Sequence, residues 1–76
     1  MPLSTTPQNY RLGYRLEDYF VQLSPFDPML TEVGRLRHLG REYVVLRHDR
    51  TGGLYARDIH AVGQRLIRAF RVDTGP

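Results

Sequence analysis

Two prolines close together, Pro25 and Pro28, limit most strongly how this chain can fold. They cannot both lie inside one helix, because proline lacks the amide hydrogen and its ring clashes with the preceding turn. Each also disfavours the helical conformation of the residue before it. We therefore expect a break over residues 24–28 that divides the chain into a shorter N-terminal part and a longer C-terminal part.

A helix is predicted over residues 28–39, directly after this break. Asp27 is a suitable N-cap, and Pro28 is tolerated in the first turn, where its missing amide costs no hydrogen bond. Apolar residues recur at helical spacing, namely Met29, Leu30, Val33, Leu36 and Leu39. Gly40 is placed to end the helix in the left-handed conformation.

The residues before the break alternate between apolar and polar. This period predicts a half-buried strand over residues 10–16. Its core-facing residues would be Tyr10, Leu12, Tyr14 and Leu16, and its outward residues Arg11, Gly13 and Arg15. Residues 17–23 fit two structures. A short helix is slightly favoured because a tight turn would lack Gly or Asn, but the dense aromatic and β-branched residues also suit a second strand.

A β-hairpin is predicted after the helix. Residues 42–48 alternate and are rich in aromatic and β-branched side chains, which is typical of a strand. Residues 49–53 include two glycines and form the tip, and residues 54–56 return as the partner strand.

A second helix is predicted over residues 58–71, with Asp58 as its N-cap. One arc of the helical wheel is apolar and holds Ile59, Val62, Leu66, Ile67, Ala69 and Phe70. The opposite arc is basic and holds His60, Gln64, Arg65, Arg68 and Arg71. The basic arc either keeps the helix solvated or contacts phosphates or an acidic protein, and the clean apolar arc favours the first explanation.

The length of 76 residues predicts one small domain over residues 10–73, with a flexible leader over residues 1–9 and a frayed tail over residues 74–76. A chain this short buries only about 60% of its unfolded surface, so pairing in a homodimer or with a partner would stabilise it. The absence of cysteine excludes disulfides and thiolate metal sites. With neither a membrane span nor a secretory signal in the sequence, we expect a cytoplasmic protein.

All eleven basic side chains are arginines, and the formal net charge is +3. Arginine donates two parallel hydrogen bonds to phosphate or guanine, so this composition and the pI near 9.8 fit a polyanionic partner. A coding bias toward GC-rich codons explains the same composition without any partner.

A strand, two helices that meet at a break and then a β-hairpin resemble the winged helix-turn-helix family. The resemblance is one of element order and spacing from Tyr10 to Ala56. It implies an α+β domain with a short antiparallel sheet, a central helix and an amphipathic C-terminal helix. It also implies a small non-catalytic DNA-binding module, such as a regulator, with Pro28–Leu39 in the major groove and a wing over Arg47–Gly53. The residues expected to contact base edges are Arg35, Arg37 and His38, and those expected to contact phosphates are Arg41, Arg47 and Arg50.

Catalysis, metals and cofactors are not expected. The three histidines, His38, His48 and His60, include no pair at the i, i+4 spacing that places two ligands on one helix face. Gly52 and Gly53 lack the flanking glycine and lysine of a phosphate-binding loop.

Two other functions remain open. One is a stand-alone protein-binding inhibitor or adaptor of the phage or mobile-element type, with an arginine- and tyrosine-rich interface. The other is a small RNA-binding barrel, which requires residues 17–39 to be mostly strand. Convergence of the basic side chains on one face favours nucleic acid, and dispersal around an exposed tyrosine and leucine patch favours a protein.

Overall fold

The computed structural model describes residues 9–72 of the chain. Its elements are β1 (Tyr10–Leu12), a 3-10 helix (Leu16–Tyr19), β2 (Leu30–His38), β3 (Arg41–His48), β4 (Leu54–Asp58) and β5 (Leu66–Arg71). The five strands form one sheet in the order β1-β5-β4-β3-β2, and all paired neighbours are antiparallel. The predicted tail, residues 74–76, and the predicted leader apart from Asn9 lie outside the described residues.

The predicted α+β winged-helix fold is wrong. Strands account for 48% of the structure, the sheet curls into a half-barrel, and the described residues include no helix of seven residues or more. The stretch predicted as the groove helix forms β2, and the stretch predicted as the C-terminal helix forms a loop followed by β5. No helix within residues 9–72 is long and apolar enough to cross a membrane.

β2 forms where a helix was predicted because its residues suit an extended chain better. Gly34 lies at its centre, where a helix would lose about 1 kcal/mol relative to alanine. Thr31 and Val33 are β-branched and lose side-chain freedom in a helix. From Gly34 onward the residues alternate, so that Leu36 is buried on one face while its neighbours are exposed on the other.

The turn between β2 and β3 explains why Gly40 resembled the end of a helix. Leu39 and Gly40 have φ values of 50° and 79°, and His38 pairs directly with Arg41. Positive φ at both central residues is the signature of a two-residue type I′ hairpin turn. The glycine does take the left-handed conformation that was predicted for it, but it reverses a strand and does not terminate a helix.

β5 was mistaken for a helix because each of its faces carries a buried residue. Leu66 is buried on one face and Ala69 on the other, which removes the simple alternation of a half-buried strand. The preceding loop, residues 59–65, contains Gly63 at a φ of 67°, and Val62 in the same loop is fully exposed.

The hairpin prediction is confirmed, since β3 and β4 pair around a tip at residues 49–53. In the N-terminal strand the prediction is confirmed for Tyr10 and Leu12, which are buried. It is wrong for Tyr14 and Leu16, which are 80% and 77% exposed because β1 ends at Leu12. Of residues 17–23, the first three belong to the 3-10 helix and the rest have no regular structure.

The sheet buries apolar residues on both faces. Residues opposite one another in an antiparallel pair share a face, so the register defines a concave inner face and a convex outer face. The inner core consists of Tyr10, Leu12, Leu36, Tyr43, Val45, Ala56 and Ala69. The outer core consists of Val44, Leu46 and Leu66, which are covered in part by Val21 and Leu23.

The segment over residues 20–29 crosses the outer face without regular secondary structure and makes turns at residues 25–26 and 28–29. Arg57 holds it in place, because its Nη1 donates a hydrogen bond of 2.8 Å to the carbonyl oxygen of Pro25. The same guanidinium lies 4.8 Å from the ring centroid of Phe26, a cation–π contact. The crossing segment leaves the outer face of β1 and most of β5 uncovered.

The half-barrel is closed by side chains and not by hydrogen bonds between β1 and β2. The Tyr10 ring of β1 packs against Gly34 of β2, where an added Cβ would lie 2.6 Å from its Cε2 atom. β1 has three residues and β2 has nine, so the two strands face each other over a short distance only. We call this junction the seam.

Candidate functional site

The uncovered part of the outer face carries arginines stacked on an aromatic ring. Arg11 of β1 and Phe70 of β5 are directly opposite each other. The Arg11 guanidinium lies 4.7 Å from the Phe70 ring centroid, and that of Arg68 lies 6.0 Å from the same centroid. Tyr55 of β4 is the cross-strand neighbour of Arg68 and shares its face. Basic and aromatic side chains thus run side by side across β4, β5 and β1.

Tyr14 extends this group beyond the end of β1. Its ring centroid lies 5.5 Å from the Arg11 guanidinium, and 80% of its surface is exposed. Its position is set by the turn that follows β1. Gly13 still donates a 2.8 Å hydrogen bond to the Arg68 carbonyl, which keeps the start of the turn attached to β5.

Asp18 shapes the turn that carries Tyr14. This carboxylate is 5% exposed, and its Oδ2 accepts a 3.1 Å hydrogen bond from the backbone amide of Arg15. It sits against Gly13, where any Cβ would collide with its carboxylate group. A glycine is therefore required at this position for the 3-10 helix to fold back onto β5.

These residues surround an open hollow of about 570 Å³. Its lining consists of Arg11, Tyr14, Arg15, Glu17, Asp18, Arg68 and Phe70. The volume lies within the roughly 300–1,000 Å³ that is usual for small-ligand sites. We refer to Arg11, Tyr14, Arg15, Arg68 and Phe70 as the arginine–aromatic surface.

The arginine–aromatic surface has a net positive charge. Glu17 forms an ion pair with Arg15 at 3.6 Å, and both side chains are more than 70% exposed, so water screens the pair. The Asp18 carboxylate is occupied by the backbone of its own turn. Within residues 9–72, neither Arg11 nor Arg68 forms an ion pair with a carboxylate. Two guanidinium groups are thus available to an anionic ligand.

A second, smaller hollow lies at the seam, next to the first. It measures about 290 Å³ and is lined by Arg11, Leu12, Gly13, Tyr14, Tyr19, Leu36, Arg37 and His38. Arg11 and Tyr14 line both hollows. The curl of the sheet therefore brings Arg37 and His38, which were predicted from the sequence, next to residues that were not.

The other four predicted contact residues lie elsewhere. Arg35 is within 4 Å of two carboxylates, with Nη1 3.4 Å from Glu42 and Nε 3.9 Å from Glu32. Arg47 lies on the inner-face side of β3, opposite Leu54, and Arg50 is in the tip of the β3–β4 hairpin. The fourth residue, Arg41, lies at the other end of β3, about 20 Å along the strand from Arg47. The structure does not bring the six predicted residues together.

Arg41 contributes to the structure through an ion pair. Its Nε donates a 2.6 Å hydrogen bond to Oδ2 of Asp58, whose side chain is only 12% exposed. The Arg41 hydrogen bond, followed by that from the His60 backbone amide, holds the pKa of Asp58 below its ordinary value. Burial in the inner core, with the Asp58 charge nearby, raises the pKa of Tyr43.

The histidines are dispersed. His48 is 8% exposed, and its Nδ1 accepts a 3.3 Å hydrogen bond from the backbone amide of Arg50, so it belongs to the hairpin tip. His38 lies at the seam, and His60 is exposed in the loop after β4. Across residues 9–72 no three His, Asp or Glu side chains cluster in a way that could hold a metal ion.

Sequence reasoning missed Arg11, Tyr14, Arg15, Arg68 and Phe70 as one group. A signal for part of it was present, because the alternation of the first strand placed Arg11 and Arg15 away from the core. The incorrect C-terminal helix hid the rest, since it assigned Arg68 and Phe70 to opposite sides of a wheel. Comparisons with protein-family models, with curated proteins and with solved structures found no match to this chain.

Proposed function

We propose that this domain binds single-stranded nucleic acid on the arginine–aromatic surface and does so without catalysis. One observation carries the proposal, namely that Arg11 and Arg68 flank Phe70 at the edge of a hollow whose other wall is the exposed Tyr14. Proteins that hold single strands combine a basic groove for the phosphates with aromatic rings on which bases stack. Both components occur together at this place on the molecule.

Single strands fit this surface better than duplex DNA. A duplex presents its base edges only inside its grooves, which are read mostly by helices or strand ribbons inserted there. The rings of Tyr14 and Phe70 offer flat faces, which only unpaired bases can cover. The condition set for the small RNA-binding barrel, that residues 17–39 be mostly strand, is met only in part, since Leu30–His38 is the strand within that range.

The proposal is tested by fluorescence anisotropy with labelled single-stranded RNA, single-stranded DNA and duplex DNA at several salt concentrations. We expect both single strands to bind more tightly than the duplex. Arg11 and Arg68 on phosphates predict a slope of log K against log salt of about −1.4, from about −0.7 per phosphate on single strands. A comparison of the affinities for single-stranded RNA and single-stranded DNA shows whether the surface prefers ribose or deoxyribose.

The variant Arg68→Gln should flatten the slope by about 0.7 and weaken binding to all sequences alike. Arg47→Gln is the matched control, because Arg47 is also an exposed arginine and lies on the opposite face of the sheet. Equal losses in the two variants, or an affinity for single strands that is independent of salt, would contradict the proposal.

A protein partner is the second candidate, as an inhibitor or adaptor would require. It is favoured by large apolar side chains exposed on the 3-10 helix and the crossing segment, with Leu16 at 77%, Phe20 at 64% and Phe26 at 67%. Scattered exposed apolar residues are common, whereas a contiguous patch marks an interface. Absence of oligonucleotide binding, together with a defined complex that Phe20→Ser abolishes, would favour this candidate.

A further inference from the structure

We propose that the seam hollow is a second nucleotide subsite and that Tyr14 separates two consecutive bases of the bound strand. This inference rests on the proposed function, and it names the ligand more closely as a single-stranded step of at least two nucleotides with unstacked bases. It is carried by the position of Tyr14, which lines both hollows while 80% of its surface is exposed. A side chain so placed is a partition between two adjacent spaces.

The lining of the seam hollow suits a base. Leu12 and Leu36 are buried at 6% and 3% exposure and form an apolar floor. Tyr19, 38% exposed, and the exposed His38 supply rings on which a base can stack. The volume of about 290 Å³ is close to the lower limit of small-ligand sites, as expected for one base without its neighbours.

Arg11 connects the two subsites. It lines both hollows and stacks on Phe70 at 4.7 Å and on Tyr14 at 5.5 Å. A phosphate that joins two bases on either side of Tyr14 would pass this guanidinium, which can hold phosphate oxygens with two hydrogen bonds. The two hollows and the cation between them match the repeat of base, phosphate, base along a strand.

The fold explains why a second hollow exists at this position. β1 pairs with β5 through three residues, from Tyr10 to Leu12, and Gly13 then leads away from the sheet. β2 continues past that point to His38. The outer edge of the seam is therefore left open beside Tyr14, although Tyr10 and Gly34 close its inner side.

The experiment compares uridine monophosphate, the dinucleotide UpU and the trinucleotide UpUpU by calorimetry and by NMR shifts of assigned side chains. Uridine monophosphate should shift Phe70 and Tyr14. UpU should also shift Tyr19 and His38, and it should bind at least 5-fold more tightly than the mononucleotide, which is the lower end expected for one added stacked base. UpUpU should add little to the affinity of UpU.

Substitutions at Tyr14 and His38 test what each of these side chains contributes to binding. Tyr14→Ala should lower UpU affinity by about 5- to 150-fold for each stacked base lost, and thus more than it lowers mononucleotide affinity. Tyr14→Phe keeps the ring and should stay within about 2-fold of the parent. His38→Ala should weaken UpU and leave the mononucleotide unchanged, whereas the control His60→Ala, outside both hollows, should change neither.

The outcomes separate the two proposals. If UpU binds no more tightly than the mononucleotide, or if His38→Ala and His60→Ala behave alike, the second subsite is wrong while the proposed function stands. If Tyr14→Ala weakens both ligands equally, Tyr14 contacts one base only and the partition is wrong. If no oligonucleotide binds, the proposed function fails and the second subsite fails with it.

Discussion

Replacing Gly34 with alanine should destabilise the domain, because no space exists for a methyl group at this position. The added Cβ would lie 2.6 Å from Cε2 and 3.2 Å from Cδ2 of Tyr10. Carbon atoms in contact prefer about 3.5–4.0 Å, so the ring would have to move by about 1 Å. The ring belongs to a residue that is 8% exposed in the inner core, and moving it would displace β1 from β2.

The expected loss follows from two opposing contributions. Overpacking a core by one methyl group costs about 1–3 kcal/mol. Alanine also lowers the conformational entropy of the unfolded chain, and this effect stabilises the folded state by about 0.4–1 kcal/mol. The φ of Gly34 is not positive, so no backbone strain is added. We expect a net decrease of about 1–2 kcal/mol in the free energy of unfolding, and a Tm lower by roughly 4–16 °C.

Urea unfolding followed by circular dichroism measures this loss. Gly53→Ala is the control, because the Cβ added there would approach the hydroxyl end of Tyr55 at 3.0 Å, and that end can move. A double-mutant cycle with Tyr10→Leu, which removes the ring, should yield a coupling energy of about 1 kcal/mol or more. The reasoning is refuted if Gly34→Ala is as stable as the parent, or if its cost is unchanged in the Tyr10→Leu background.

Two further predictions concern the β2–β3 turn and its ion pair. Leu39→Asn should stabilise the domain by about 0.5–1 kcal/mol, as measured by urea unfolding. Leucine is strained at a φ of 50°, whereas Asn-Gly suits a type I′ turn. An unchanged stability would contradict this turn assignment. Asp58→Asn should destabilise it at neutral pH. The pKa of Asp58 is lowered in the folded state, so its contribution is present above the unfolded pKa and is lost as the pH falls through the folded pKa. The difference between parent and variant should therefore shrink below about pH 4, and a difference that does not change with pH would refute the role of the Arg41 ion pair.

Local signals predicted the strand that is rich in β-branched and aromatic residues, together with the turns that are marked by glycine. Residues 42–48 combine alternation with β-branched and aromatic side chains, and they form most of strand β3. The glycines of the hairpin tip and the left-handed Gly40 were also identified correctly. Each of these features depends on a few neighbouring residues and needs no knowledge of the rest of the chain.

The two predicted helices failed because apolar spacing alone does not separate a helix from a strand whose apolar residues lie on both faces. Leu66 and Ala69 fit a helical wheel, yet they point to opposite sides of the sheet. A better signal was available in Gly34 and Gly63, each of which lies in the middle of a predicted helix and destabilises one by about 1 kcal/mol relative to alanine. Including the unfavourable helix propensity of these two glycines would have favoured strands or loops over helices.

The candidate site could be predicted only in part, because it depends on strand order. Arg11 and Phe70 are opposite each other only when β1 pairs with β5, and the sequence contains no local signal for that pairing. Arg37 and His38 reach Tyr14 only through the curl of the sheet. Pairing between distant strands is decided by the packing of the whole inner core, so no short window of residues could reveal it.

The pairing of β1 with β5 also has a kinetic consequence. Strands β2 to β5 follow one another as successive neighbours, whereas Tyr10 pairs with Arg71 across nearly the entire described chain. Closing so long a loop has a high entropic cost, and contacts of high sequence separation slow folding. The β1–β5 ladder contains only three residues of β1, so its local opening requires less free energy than that of the other strand pairs. Arg11 and the turn that carries Tyr14 would then dock last during folding and detach first during native-state fluctuations, so the arginine–aromatic surface can come apart while the β2–β5 meander stays folded.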